Sequence, residues 1–245
     1  TTNGGQGWWG NDTCNGQPIG FHNGEPGIAI DKDGTFILVR WGVERELASH
    51  YSTDRGLNWV PQSTMTVENQ ERSHLASNAI PSSPQFGRTY AAWVRALQPY
   101  AVHFGYTTDG ARTWSAPLQI NNPTSRSSGA RIILDATGTI YVCWASVIGT
   151  SPFTEDYVGL ASSTNGGGAW TVRPNVFDMN GIAGLLPDKG NIRVKGLPKM
   201  DIDRTAGLRR GWIYIVTAQK NLSPSGADPD IVLNRSTDGG ATWSN

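Results

Sequence analysis

Four copies of one eight-residue pattern punctuate the chain and constrain its fold more than any other feature. They span 52–59, 107–114, 163–170 and 236–243, and the first reads Ser52-Thr53-Asp54-Arg55-Gly56-Leu57-Asn58-Trp59. The pattern is Ser/Thr-x-Asp-x-Gly-x-x-Trp, with Asn165 in the acidic position of the third copy. Each copy follows a short apolar run and reads as a tight hairpin. Asp tolerates turn geometry and accepts hydrogen bonds from the backbone N–H groups it caps. Gly supplies positive φ. The closing Trp opens the next strand and buries a large ring between neighbouring sheets. Asp54, Trp59, Asp109, Trp114, Asn165, Trp170, Asp238 and Trp243 are therefore read as scaffold. Asn165 agrees with this, since an amide cannot replace a catalytic carboxylate.

The acidic positions are separated by 55, 56 and 73 residues. A period of this size with several strands per unit indicates propeller blades. Second strands are expected at 35–41, 89–94, 139–144 and 212–217, where β-branched and aromatic residues suit strands covered on both faces. Innermost strands are expected at 26–30, 75–80, 131–134 and 199–202. Third strands (48–51, 102–106, 158–162 and 231–235) run into the hairpins, and fourth strands follow each Trp, as at 114–120. The expected fold is an all-β propeller of four-stranded antiparallel blades, at about 25–66, 70–120, 126–177 and 195–245, the fourth lacking its outer strand. The preferred reading is a fragment whose remaining blades belong to the same protein or to a partner chain. The other reading is that residues 1–24, otherwise a linker, supply the outer strand that closes a small ring.

Composition excludes several classes. Charged residues are 16% of the chain and the formal net charge is zero, which gives no reason to expect nucleic acid as a partner. No apolar run reaches the roughly 18 residues of a membrane-spanning helix. Thirty glycines and ten tryptophans fit many short strands and turns. Cys14 and Cys143 are too few for a disulfide framework; Cys143 reads as a buried thiol within a strand, and a bridge between the two stays open. Asn11-Asp12-Thr13 and Asn221-Leu222-Ser223 match the N-glycosylation pattern. No cofactor or metal is expected; Asp228 and Asp230 read as turn residues rather than cation ligands.

The repeats resemble the Asp-box (BNR) repeats of the sialidase superfamily of β-propellers. The resemblance implies that the boxes sit on the face away from the active site. In a four-stranded blade, the starts of first strands and the ends of second strands share the opposite face. That topology places Glu25, Arg40, Arg72, His74, Arg95, Arg126, Arg131, Lys195 and Lys220 there, with Glu44, Arg45 and Glu46 in an adjoining loop. Ligand-binding candidates are Arg40, Arg95, Arg131, Arg72, His74, Glu25 and Arg45, because converging guanidinium groups bind carboxylate or sulfate bidentately. Simple ion pairing is the plainer role for Arg40 and Arg95.

The resemblance also implies an arginine triad, a Tyr–Glu pair and an acidic acid/base residue, outside the usual two-carboxylate scheme. The chain departs from that signature. Asn23-Gly24-Glu25-Pro26 keeps the Pro of the family's opening segment but has Gly24 where Arg belongs, and Val43-Glu44-Arg45 only echoes a second element. Tyr100, Tyr157 and Glu155 are candidates for the Tyr–Glu pair, and no catalytic residue is assigned. Three functions are consistent with these residues. The first is a secreted or cell-surface propeller binding glycan or another extracellular ligand; the second is an exo-acting hydrolase of an acidic sugar. The third is an assembly module docked through Trp8 and Trp9.

Overall fold

Each box turns the chain back at the same end of a sheet, so the antiparallel strands of each blade follow one another in sequence order. The structure, a computed structural model, describes residues 3–7, 15–16, 24–42 and 44–244. Trp8, Trp9, Asn11 and Cys14 lie outside the described residues.

The first sheet contains β1 (Asn15–Gly16), β2 (Gly24–Ile30), β3 (Phe36–Trp41), β4 (Leu47–Ser52) and β5 (Asn58–Thr66). Strands β2 to β5 are antiparallel, and β1 pairs in parallel with the outer strand β5, Asn15 opposite Asn58. The second sheet is β6 (Gln70–Ser77), β7 (Thr89–Arg95), β8 (Val102–Thr107) and β9 (Leu118–Gln119). The third is β10 (Arg126–Leu134), β11 (Ile140–Val147), β12 (Glu155–Ser163) and β13 (Thr171–Asp178). A hairpin of β14 (Gly184–Leu186) and β15 (Ile192–Val194) precedes the fourth sheet, β16 (Lys199–Ile202), β17 (Ile213–Gln219) and β18 (Asp230–Ser236). The fold is a β-propeller of antiparallel blades, whose inner strands β2, β6, β10 and β16 neighbour one another in that order.

Two details differ from the sequence expectation. The fourth strand of the second blade is only Leu118–Gln119, because Pro117 before it has no N–H for the ladder. The β14–β15 hairpin was not expected, since strands this short show no alternation to read.

The core lies between the blades. Ile37 and Val39 of the first meet Leu75, Ala91 and Trp93 of the second. Tyr90, Phe104 and Val94 meet Ile132, Val142 and Trp144 of the third. Val158 and Leu160 meet Met200, Ile213 and Ile215 of the fourth. The Trp residues of the second, third and fourth boxes reach back to the blade before them. Trp114 donates from Nε1 to Ser49 Oγ at 3.0 Å. Trp170 meets Phe104 edge-on with centroids 5.0 Å apart, and Trp243 meets Phe177 at 5.3 Å. Cys143 is buried and free, and burial pushes its thiol up to about 12.

Within the boxes the acidic side chains serve the backbone. Asp54 Oδ1 accepts from the Asn58 N–H and from Ser52 Oγ, both at 2.8 Å, while Oδ2 takes the Asn58 amide at 2.7 Å. Asp238 repeats this with Thr242, whose N–H and Oγ1 lie at 2.9 and 2.6 Å. These bonds, from Asn58 first and Ser52 after it, hold Asp54 down at about 2. Asn165 uses only Oδ1, for the Ala169 N–H at 2.9 Å and Ser163 Oγ at 2.9 Å. The fourth following residue is here Ala169, which has no side-chain donor for a second oxygen, so an amide suffices. These side chains thus hydrogen-bond within their own hairpins.

Candidate functional site

At the end of the blades opposite the boxes, three inner strands carry a β-bulge at matching positions. The pairing register shifts between Gly24 and Gly27 on β2, between Glu71 and His74 on β6, and between Ser128 and Arg131 on β10. Each bulge contains a left-handed residue: Glu25 (φ 54°), Arg72 (φ 49°) and Gly129 (φ 68°). A bulge re-aims side chains, and non-glycine residues held in this region cost about 1–3 kcal/mol each, strain that concentrates at functional sites.

The re-aimed groups join adjacent blades. Glu25 Oε2 accepts the Arg72 backbone N–H at 2.5 Å. Glu71 Oε1 accepts from Ser128 Oγ at 2.7 Å. Glu71 is buried, and three cations surround it: Arg72 Nε at 3.6 Å, Arg126 Nη2 at 3.6 Å and Lys195 Nζ at 3.5 Å. These ion pairs are longer than charge-assisted hydrogen bonds, which run near 2.7–2.9 Å. The cations are therefore incompletely satisfied, and the Nε groups of Arg72 and Arg126 have no hydrogen-bond partner.

A cavity of about 850 Å³ opens here. Its acids are Glu25, Glu71 and Glu155, and its cations are Arg45, Arg72, Arg126, Arg193, Lys195 and Lys199. Trp41 and Phe153 add apolar wall. Arg126 stacks over the Tyr100 and Phe153 rings, with centroid distances of 4.7 and 5.5 Å, which fixes the guanidinium plane. Glu155, at the start of β12, is fully buried; its Oε2 accepts the backbone N–H groups of Ile182 and Ala183, each at 3.2 Å. Burial raises the Glu25 carboxyl above its ordinary range, and the Arg72 charge opposes but does not cancel this.

A second cavity, of about 250 Å³, adjoins the first and shares Glu25, Arg72 and Lys199 with it. Its other polar residues include Arg131 and His74. Among the described residues neither the Arg131 guanidinium nor the Lys199 ammonium has a side-chain hydrogen bond or an ion pair. Desolvation and then the neighbouring charges of Arg131 and Arg72 depress Lys199. His74 Nδ1 lies 3.1 Å from the Ile132 carbonyl oxygen, and burial, with Arg131 second, takes its imidazole down to about 4. His74 is thus neutral near pH 7 and fills a polar niche.

Of the sequence candidates, Glu25, Arg45 and Arg72 line the larger cavity, while Arg131 and His74 line the smaller with Glu25 and Arg72. Arg40 and Arg95 lie at the strand ends away from the boxes but line neither of these two cavities; Arg95 lines a separate pocket with His103. Arg40 is drawn into its own blade by His50 Nε2 at 2.9 Å and the Trp41 carbonyl at 3.1 Å. Arg95 is held by Glu68, with Nη2 to Oε1 at 2.7 Å. Tyr157 lines a separate cleft with Trp144, so it does not share a cavity with Glu155. No tyrosine is among the described residues that line the larger cavity. Asp228 pairs with Lys189 at 3.0 Å. Missing from the sequence candidates were Arg193 and Lys199 as site residues and Glu71 as the hub. Only topology could have found them, since the β14–β15 hairpin delivers Arg193.

No protein-family model and no curated protein matches this sequence. Solved structures do. A polysaccharide lyase of family PL25, an ulvan lyase bound to -[GlcA(1-4)Rha3S]-, superposes with a TM-score of 0.56 at 14% identity, over 91% of this chain and 57% of its own. A GH43_12 protein from the capybara gut metagenome gives 0.52 at 14% identity, over 91% of this chain and 41% of its own. A xylan β-1,4-xylosidase from Bacillus halodurans C-125 gives 0.51 at 16% identity, over 93% and 42%. The chain thus spans about two fifths of the length of the latter two. At these identities the likeness defines the fold, a propeller shared with carbohydrate-active proteins.

Proposed function

We propose that this chain is a glycan-acting propeller module that binds an acidic saccharide in the cavity opposite the Asp boxes. One observation carries this reading: six cations surround three glutamates, and the ion pairs to the central Glu71 are 3.5–3.6 Å long. Basic side chains held this loosely retain donors for an incoming carboxylate or sulfate. Trp41 and Phe153 offer rings against which a sugar face can pack. The saccharide in the PL25 lyase structure carries both a uronate and a sulfate, so a related fold accommodates this ligand class. The Asp-box pattern aligns the module with sialidase-like propellers, and we place it, with them, outside the cell.

Binding is tested by presenting the protein to an array of sulfated, uronate-bearing, sialylated and neutral oligosaccharides. Retention of acidic members only is the expected outcome. Equal retention of neutral ones overturns the reading.

A second reading, hydrolysis, is favoured by Glu25. Its carboxyl is raised by burial and lies near Glu71, which keeps three cations around it. Two carboxyls in unlike surroundings are the usual acid and base of glycoside cleavage. Turnover of fluorogenic uronosides or sialosides, abolished by Glu25→Gln, would establish it; no turnover leaves binding alone.

A further inference from the structure

Two equivalent turns on neighbouring blades deliver an aromatic ring to the same arginine. In the second blade, the turn between β7 and β8 closes with the Tyr100 N–H on the Leu97 carbonyl at 2.7 Å. In the third, the turn between β11 and β12 closes with the Phe153 N–H on the Thr150 carbonyl at 2.8 Å. Both rings spring from left-handed backbone, φ 58° at Tyr100 and 60° at Phe153. Bulky residues rarely adopt this conformation, and it persists only where the surroundings hold it. Here both rings end over the Arg126 guanidinium, Tyr100 at 4.7 Å and Phe153 at 5.5 Å. The root of that side chain is pinned as well. The Ser127 N–H donates to the Tyr100 carbonyl at 3.1 Å, and Ser125 Oγ donates to the Val147 carbonyl at 2.7 Å.

Among the described residues the two rings make no contact with each other, so they cover different faces of the guanidinium and leave its edge to a ligand. That edge keeps its donors. Among the described residues the guanidinium makes no hydrogen bond: its ion pair to Glu71 is 3.6 Å long, and Nε has no partner. Arg126 and Phe153 both line the larger cavity. The two acid groups that could enter there differ in shape. A carboxylate is flat, and both its oxygens can lie in the guanidinium plane between the rings. A sulfate ester that places two oxygens in that plane holds its third oxygen and its ester oxygen above and below it, where the rings stand.

We propose that Tyr100 and Phe153 are positioning residues that hold Arg126 edge-on to the ligand and thereby select a saccharide carboxylate over a sulfate ester. This rests on the acidic-saccharide reading of the cavity and ranks a uronate above a sulfate within it. The test is calorimetric titration of two oligosaccharides that share one backbone, the first bearing a uronate and the second a sulfate ester in place of that carboxyl group. The wild type is expected to bind the uronate about tenfold more tightly. Phe153→Leu removes a ring that is 44% exposed, so folding is retained and is checked by thermal melting. It is expected to bring the two affinities together, whereas Phe153→Tyr, which keeps the ring, preserves the ratio. Arg126→Lys keeps the charge without the planar fork and is expected to equalise them too. Equal affinities in the wild type, or an unchanged ratio in Phe153→Leu, would overturn the proposal. Binding of neither saccharide would instead remove the acidic-saccharide reading, and the proposal with it.

Discussion

Ser128 on the third blade donates a 2.7 Å hydrogen bond to Glu71 on the second, and that carboxylate is also the point on which Arg72, Arg126 and Lys195 converge. One buried acid therefore sets the distances among three cations from different parts of the chain. Glu71→Gln keeps the Ser128 contact but removes the charge. The expected loss of stability is about 1–3 kcal/mol, discounted because the cations are partly exposed. Urea unfolding measures it.

Arg126 and Lys199 should carry ligand affinity without carrying stability. Neither closes a short ion pair, and Lys199 has none among the described residues. Arg126→Ala and Lys199→Ala should each weaken binding of a sulfated oligosaccharide about tenfold, roughly 1.4 kcal/mol, with the melting temperature little changed. Affinity should also fall with added salt.

His74 predicts a pH dependence. Its folded value of about 4 lies below the ordinary 6.5, so the native state favours the neutral ring and the unfolded chain takes up the proton first. Stability should therefore fall as pH drops from about 6.5 to about 4 and level off for this group below that, by an amount on the order of 2–3 kcal/mol. His74→Gln should flatten this part of a plot of melting temperature against pH.

Asp54 acts in a lower window. Its depressed value of about 2 means that the hairpin bonds contribute above the ordinary 3.8 and disappear as pH falls towards 2. Asp109 and Asp238 are lowered in the same direction; burial alone would raise Asp109, but bonds from Thr113, Thr107 and Arg112 together outweigh it. Asn165 carries no charge. Proteolysis near 107–114 and 236–243 should accelerate below pH 4 well before cleavage near 163–170.

Gly240→Ala should destabilise by about 1–3 kcal/mol, since the new Cβ meets Leu160 at 2.2 Å in a packed seam and φ is +86°. Ala111→Gly, at the corresponding place over the small Ser49, should be near neutral. Chemical unfolding of the two variants tests how each box fits against the blade before it.

Much of the fold could be read from the chain because turn chemistry is local. Asp54, Asp109 and Asp238 bind residues within four positions of themselves, and those residues are written beside them. Topology alone also pointed to Glu25, Arg45, Arg72, Arg131 and His74, which line the two cavities. The geometry that joins them could not be read. Nothing in Glu25 or Arg72 announces a left-handed bulge, which arises where inner strands of neighbouring blades meet. Arg40 and Arg95 lie at the correct end of their strands, yet His50 and Glu68 capture them, and such pairing depends on side-chain direction in three dimensions. Arg193 comes from a hairpin strand too short to show a period.

The proposed function requires that the loosely paired cations bind an anion. Calorimetric titration of a sulfated, uronate-bearing oligosaccharide and its neutral counterpart into the wild type and an Arg126→Glu/Lys199→Glu double variant tests this most directly. Heat of binding for the acidic saccharide alone, absent from the double variant, is the predicted result. Equal affinity for the neutral sugar, or unchanged binding in the double variant, would contradict it.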